Sequence, residues 1–217
     1  MSTFKSWTRE KLKKRFGLKR VYDHPNLVEW LNSEVEINRF EAESLEFWRE
    51  GMLKYIDYWN EEEVKLKFIG NIVTLVRYDT DEISCFAERY IGGVVDGEEL
   101  NGFPDLIIAT GKQEIDAPFF FLHEYKKELD NDSPDPAAQC LSAMLLAYEL
   151  NLNVPKMAQK PVFGAYIIGR SWFFMVLNPD KTYCISDVFS ATHTDDLLKI
   201  YKMMKVNCIK IKEIWEE

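Results

Sequence analysis

Three charged residues stand at the ends of two otherwise apolar segments. Asp105 begins the segment DLIIAT, and Glu124 and Lys126 end the segment PFFFLHEYK. Both segments are apolar runs of strand length, so we expect them to pair as an antiparallel hairpin with a loop at 111–118. Asp105 and Glu124 are equally far in sequence from the centre of that loop, so they lie opposite each other in the hairpin. The two carboxylates are therefore predicted to be cross-strand neighbours.

Glu124 and Lys126 are two residues apart on one strand, so their side chains project from the same face. Three charged groups then meet at the end of an apolar hairpin, which is costly unless a partner compensates the charge. Mg²⁺ is a suitable partner, because it takes oxygen ligands and keeps waters and phosphate oxygens in its shell. The pattern predicts a magnesium site at Asp105 and Glu124. The alternative is a solvated ion pair of Glu124 and Lys126 at a strand end.

The sequence resembles the PD-(D/E)xK motif of restriction-endonuclease-like nucleases at Pro104-Asp105 and, after a spacer of eighteen residues, at Glu124-Tyr125-Lys126. The resemblance extends over about 60–190. It implies that Asp105, Glu124 and the Tyr125 backbone carbonyl hold Mg²⁺, or Mn²⁺ in its place. It also implies that Lys126 positions or activates the attacking water in a metal-dependent nuclease, with DNA as the expected substrate and RNA as the alternative.

Two further residues belong to this resemblance. Family members often carry a glutamate on a helix before the core sheet, which Glu62 or Glu63 could supply to a metal. Many carry a catalytic-site glutamine on the helix after the lysine strand, which Gln139 could supply. Each has an ordinary explanation too, since acids stabilise any helix start and Gln139 could be a simple first-turn polar residue. An acid-x-Lys triplet alone says little, because Glu63-Val64-Lys65 is another.

The spacing of apolar residues predicts the elements that position these groups. We expect helices at about 6–16, 26–31, 34–60, 61–76, 136–151 and 194–206, a turn at 131–136, and strands at 83–95 (interrupted near Gly92-Gly93), 105–110, 118–126, 161–168, 171–177, 181–186 and 208–214. Expected N-caps are Ser6 or Thr8, Asn26, Asn60 and Asp135, the last with Pro136 at the first helical position. Apolar runs such as 119–122 indicate a sheet covered on both faces.

The order of these elements predicts an α/β fold, with a central mixed β-sheet flanked by helices. The restriction-endonuclease-like core is expected over 61–217, after a helical N-terminal extension at 1–60, in one compact unit. A chain of 217 residues is of ordinary size for such a unit. The rival to a nuclease is a non-catalytic interaction or structural module on the same fold.

The net charge of −9 is unevenly distributed. Residues 1–20 carry eight Lys or Arg against one acid, whereas the other 197 residues carry 19 bases and 35 acids. An acidic body argues against a protein that coats nucleic acid without specificity. The basic segment offers Lys11, Lys13, Lys14 and Arg15 as nucleic-acid contacts, or it is only the solvated face of a helix.

No run approaches the roughly 18 to 20 apolar residues of a membrane span, and the first twenty residues lack the apolar centre of a secretory signal. We therefore expect a cytoplasmic protein with no membrane partner. The four well-separated cysteines predict reduced thiols, with a zinc site or a disulfide as the alternatives. His123 is expected to be a core or surface histidine rather than a general base. The sequence leaves open whether the chain forms a homodimer.

Overall fold

A β-sheet lies at the centre of the chain, which the computed structural model describes over residues 2–126 and 135–216. In these ranges the strands are β1 (Ser2–Thr3), β2 (Lys19–Arg20), β3 (Ile83–Ala87), β4 (Ile91–Val95), β5 (Glu98–Gly102), β6 (Leu106–Thr110), β7 (Asp116–Lys126), β8 (Val162–Ile168), β9 (Ser171–Leu177), β10 (Thr182–Ile185) and β11 (Phe189–Ser190). The helices are α1 (Arg9–Phe16), α2 (Pro25–Leu31), α3 (Arg39–Tyr55), α4 (Glu61–Val64), α5 (Gly70–Val76), α6 (Pro136–Asn151) and α7 (Thr194–Glu216). A 3₁₀ turn covers Phe4–Ser6, and a π-helical turn covers Lys65–Ile69. Most of the turn predicted at 131–136 lies outside the described residues.

The large sheet has the strand order β2-β10-β9-β8-β7-β6-β3, and β11 pairs with β9. Strands β7 and β8 are parallel, as are β10 and β2, whereas the other neighbouring strands are antiparallel. A smaller sheet contains β1, β5 and β4. The predicted α/β fold with a central mixed sheet and flanking helices, including helices in the N-terminal part, is confirmed.

Helices cover both faces of the large sheet, as the apolar strands predict. On one face α6 packs against a core that includes Ile107 and Leu122. On the other face α2, α3, α5 and α7 pack against a core that includes Ile108 and Phe121. Because Glu124 follows Leu122 by two residues, its side chain lies on the α6 face. Asp105, which precedes β6, contacts Lys65 from the π-helical turn between α4 and α5.

Capping side chains fix where the N-terminal helices begin. Thr8 accepts a hydrogen bond from the Lys11 backbone N–H and starts α1, which ends at Gly17 in the left-handed conformation, with φ of 75°. Helix α2 is capped by His24 and not by Asn26 as predicted, because Pro25 takes the first helical position. Helix α3 begins after a capping box at Asn38 and is shorter than the predicted 34–60.

The predicted strand at 83–95 is two strands in different sheets. The break lies at 88–90 and not at Gly92-Gly93, which lie inside β4. Gly93 allows α6 to approach, since a Cβ there would lie 2.9 Å from Leu146 Cδ1. The chain then turns at Asp96-Gly97, where both residues have positive φ. This is the pattern of a two-residue hairpin turn, and it leads into β5, a strand that the sequence analysis missed.

The predicted strand at 208–214 is wrong, because α7 continues from Thr194 to Glu216. The sequence Ile209-Lys210-Ile211-Lys212 alternates as a strand does. The buried residues, however, keep helical spacing at Ile200, Met204, Cys208 and Ile211, and tertiary packing of that stripe determines the element. None of the described helices is both long and apolar enough to span a bilayer.

Candidate functional site

The register of β6 against β7 brings Asp105 and Glu124 together. Leu106 pairs with His123, Ile107 with Leu122 and Ile108 with Phe121, which is the register that reflection through the loop predicts. Asp105 and Glu124 are the next residues beyond the Leu106–His123 pair, on the side of the hairpin away from its loop. Nearer the loop the predicted register is wrong, because bulges on either side of Ala109 shift the pairing.

Both carboxylate oxygens of Asp105 have partners. The Tyr125 backbone N–H donates a hydrogen bond of 2.7 Å to Oδ2, and Lys65 Nζ lies 2.8 Å from Oδ1. The Asp105 side chain is only 10% exposed. A carboxylate offers about four lone-pair positions, so each oxygen keeps the capacity to accept a second contact.

Glu124 and Lys126 form a buried pair rather than the solvated pair considered above. Their side chains are 6% and 10% exposed, and Lys126 Nζ lies 2.7 Å from Glu124 Oε1. Lys126 Nζ also donates to the Tyr125 carbonyl oxygen at 2.6 Å. The Lys126 ammonium group therefore contacts two of the three groups predicted as metal ligands, the Glu124 carboxylate and the Tyr125 carbonyl.

Burial sets the protonation of this pair. Burial and, after it, the charge of Asp105 raise the pKa of Glu124, Lys126 opposes both effects, and the resulting pKa is about 7. For Lys126, burial alone would lower the pKa, but the charge of Glu124 and its hydrogen bond outweigh burial, and the pKa is raised. Lys126 is therefore cationic at neutral pH, and burial makes the charged form of Glu124 less favourable than it is in water.

The helix start at Asn60 supplies a different glutamate from the two predicted. Glu63 closes the capping box with Asn60 and pairs with Lys67 at 2.7 Å, outside the site. Glu62 reaches the site only through Lys65, at 3.1 Å. Glu61 Oε2 lies 4.0 Å from Lys126 Nζ, and Glu61 Oε1 lies 3.0 Å from Lys65 Nζ.

The sequence analysis missed both Glu61 and Lys65. Their spacing of four residues is the signal that could have found them, because such a pair shares one helix face. Lys65 belongs to the triplet Glu63-Val64-Lys65, which we set aside as uninformative. Its ammonium nevertheless contacts Asp105 directly.

Gln139 lies near the start of α6 and is buried, with no hydrogen-bond partner for its Oε1. The neighbouring Cys140 Sγ lies 3.5 Å from the Ala165 carbonyl oxygen and 3.7 Å from that of Leu122. The first turns of α6 thus lie over β7 and β8. Among the described residues no hydrogen bond joins Gln139 to Asp105, Glu124 or Lys126.

The basic residues of α1 are exposed, and several contact other parts of the chain. Lys11 donates to the Ser6 carbonyl, Lys14 pairs with Glu10, and Arg15 donates to the Asp96 carbonyl. Lys13 is exposed as well. The sequence analysis did not single out Lys5, whose charge lowers the pKa of Glu124. Lys5 therefore acts electrostatically on the site.

A cavity of about 640 Å³ opens beside Asp105. Ile69, Val73 and Leu106 contribute to an apolar wall, and Lys65 and Asp105 are among its polar lining residues. The cavity therefore gives solvent and small groups access to Asp105.

His123 lies next to Glu124 in β7, and Cys85 lines the cavity beside Asp105. His123 is fully buried, with Nδ1 2.9 Å from the Tyr125 hydroxyl and no partner for Nε2. Burial lowers the pKa of His123 to about 3, so the ring is neutral near pH 7. No disulfide links the four cysteines, all of which the structure describes, and burial raises the pKa of Cys85 to about 12.

The oxygen donors fit a hydrated Mg²⁺ ion. Within residues 2–126 and 135–216, no group of three or more His, Cys, Asp or Glu side chains could hold a metal ion. Mg²⁺ does not need such a group, because it keeps several waters and is held through one or two carboxylates. Asp105, Glu124 and the Tyr125 carbonyl provide that number of hard oxygen ligands.

No protein-family model matches this sequence, and no curated protein matches it significantly. The function therefore has to be argued from the geometry and charge of the site.

Proposed function

We propose that the chain is a divalent-metal-dependent phosphodiester hydrolase of the PD-(D/E)xK type, with Mg²⁺ as cofactor and DNA as substrate. One observation carries the proposal. Asp105 and Glu124 flank the open end of one hairpin, next to the pair Leu106 and His123, and Lys126 Nζ lies 2.7 Å from Glu124. Two buried carboxylates beside a buried lysine suit a hydrated metal and an attacking water.

The charge balance supports a cationic cofactor. Two ammonium groups, Lys65 and Lys126, lie among five carboxylates, Asp105, Glu61, Glu62, Glu88 and Glu124. Three negative charges therefore remain in excess. Solvent screens part of this excess, since the side chains of Glu62 and Glu88 are more than half exposed. The buried remainder is costly and would repel a phosphate, so a bound divalent cation favours both the fold and the substrate.

Each residue then has a distinct role. Asp105, Glu124 and the Tyr125 carbonyl would hold Mg²⁺, or Mn²⁺ in its place. When bound, the ion polarises a phosphoryl oxygen and lowers the pKa of a bound water. Lys126 already stands beside these oxygens, so its ammonium orients that water or neutralises charge that develops on the phosphate. Glu61 replaces Glu62 and Glu63 as the acid that faces Lys126.

Nucleic acid is the substrate class that suits the N-terminal segment. Lys5 acts on Glu124 through its charge, and Lys11, Lys13 and Lys14 are exposed on α1. These cations would contact a phosphate backbone that runs from the metal toward α1.

The experiment is cleavage of linear, circular and single-stranded DNA with Mg²⁺ or Mn²⁺. We expect the parent protein to cleave at least one substrate and to require the metal. Asp105→Ala and Lys126→Ala should each lower the rate at least about 100-fold. Lys202→Ala is the matched control, because Lys202 is a lysine that pairs with Glu34 away from the site, and it should leave the rate unchanged.

Calorimetric titration with Mn²⁺ completes the test. Binding that Asp105→Ala abolishes and Lys202→Ala preserves supports the metal site. If the parent neither cleaves any of the three DNAs nor binds Mn²⁺, the proposal is wrong.

A non-catalytic interaction module is the second candidate, and the surface around α3 favours it. Phe40, Phe47 and Tyr58 are 67%, 73% and 83% exposed. Large exposed aromatic side chains in one region are typical of surfaces that bind another protein, including a second copy of the same chain. Absence of metal binding together with concentration-dependent self-association would favour this candidate.

A further inference from the structure

Lys65 is surrounded by carboxylates. Its Nζ lies 2.8 Å from Asp105 Oδ1, 3.0 Å from Glu61 Oε1, 3.0 Å from Glu88 Oε1 and 3.1 Å from Glu62 Oε1. The Lys65 side chain is 16% exposed. An ammonium group has three N–H donors, so the position offers more oxygen ligands than a lysine can satisfy.

The backbone places the lysine there. Lys65 begins the π-helical turn between α4 and α5, and the Gly70 N–H bonds to the Lys65 carbonyl five residues back. A Cβ at Gly70 would lie 3.0 Å from that carbonyl oxygen, so the glycine permits the wide turn. Single π-helical turns inside helices often occur at functional sites.

The ammonium is a permanent cation in this position. Burial alone would lower the pKa of Lys65, but the hydrogen bond and charge of Asp105, with the hydrogen bonds of Glu88 and Glu61, outweigh burial and raise it. Lys65 therefore carries its charge throughout the neutral range.

We propose that Lys65 is a tethered monovalent cation that takes the place of a second divalent ion beside Asp105, so that the site binds a single divalent ion. The inference rests on the proposed function, in which Asp105 and Glu124 hold that one ion. Lys65 occupies Asp105 Oδ1 at 2.8 Å, so the lone pairs left on Asp105 face one further cation. Lys65 is thus a positioning residue, which acts through Asp105.

The test is the number of Mn²⁺ ions bound per chain, measured by calorimetry and by electron paramagnetic resonance of free Mn²⁺. We expect one ion for the parent and two for Lys65→Met, because removal of the ammonium frees Asp105 Oδ1 and its neighbouring carboxylates for a second, hydrated ion, which needs only one or two carboxylates. Lys65→Arg keeps the charge and should bind one. Lys67→Met is the matched control, since Lys67 lies two residues away and pairs with Glu63, and it should also bind one.

The outcomes separate this inference from the proposed function. One ion in both the parent and a folded Lys65→Met overturns the inference and leaves the metal site intact. Two ions in the parent also overturn it, and that measurement needs no variant. If the parent binds none, the proposed metal site is wrong. In that case one ion gained by Lys65→Met supports the role of Lys65, and none gained overturns it.

Discussion

The backbone N–H of Tyr125 donates a 2.7 Å hydrogen bond to Oδ2 of Asp105. The strand that carries Glu124 and Lys126 thereby orients a carboxylate that belongs to the neighbouring strand. Such a bond to a carboxylate is charge-assisted and stronger than one between neutral groups. The side chain of Asp105 is held in place before any ligand arrives, which is the preorganisation that a binding site requires.

Metal affinity should depend on pH through Glu124, whose pKa burial raises to about 7. Because the ion binds the carboxylate, the dissociation constant for Mn²⁺ should fall about tenfold per pH unit between pH 5 and 7 and level off above about pH 8. Calorimetry at several pH values measures this. Lys126→Met removes a charge that lowers the pKa of Glu124, so the profile should move to higher pH. A profile that is flat from pH 5 to 8 would contradict the assignment.

The same group affects stability without metal. A carboxyl whose folded pKa is raised above its unfolded value of 4.5 contributes stability that is present below pH 4.5. That contribution is lost as the pH rises through about 7.

Glu61 and Glu63 should differ in their effect on metal binding, although both lie in the first turn of α4. Glu61→Gln removes a negative charge near Lys65 and Lys126 and should weaken Mn²⁺ binding about fivefold, or about 1 kcal/mol. Glu63→Gln is the control, because Glu63 pairs with Lys67 outside the site. The Mn²⁺ dissociation constant of Glu63→Gln should match that of the parent protein. Equal weakening by both substitutions would show that charge alone, and not position, matters.

Gln139 should be dispensable for folding. Its buried Oε1 has no partner, and such an acceptor costs about 1–3 kcal/mol. Gln139→Met should therefore keep or raise the free energy of unfolding, measured in urea. Ser142→Ala is the comparison, since Ser142 donates to the Gln139 carbonyl at 2.9 Å and its loss should destabilise. A destabilised Gln139→Met would contradict this prediction.

His123 should make the fold sensitive to acid. Burial lowers its pKa to about 3 from 6.5, so the unfolded state takes up the proton first. The stability from the neutral ring is present above pH 6.5 and is lost as the pH falls toward 3, by up to about 1.4 kcal/mol per pH unit. His123→Gln should flatten this slope in urea titrations at several pH values. His193→Gln, at an exposed histidine, should not.

Local patterns predicted the hairpin at Asp105 and Glu124 better than the elements around it. The hairpin register at Asp105 and Glu124 could be predicted because both strands are regular beside these residues, whereas the bulges near Ala109 leave no clear signal in the sequence. Lys65 and Glu61 reach the site because α4 and the π-helical turn after it pack beside the sheet. That tertiary contact joins segments about 40 to 65 residues apart in the sequence, so local patterns do not predict it. The continuation of α7 through Ile209 likewise depends on burial of a helical stripe, which outweighs an alternating sequence.

The two lysines also bear on how this chain could change over generations. Lys65 and Lys126 supply cationic partners for Asp105 and Glu124 from within the protein, so folding does not wait for a metal, in contrast to domains that are unfolded without their ion. Substitutions that abolish the proposed activity need not unfold the protein. Selection for the proposed activity and selection for stability can therefore act on this hairpin separately, and a descendant without that activity could keep the same architecture for another use.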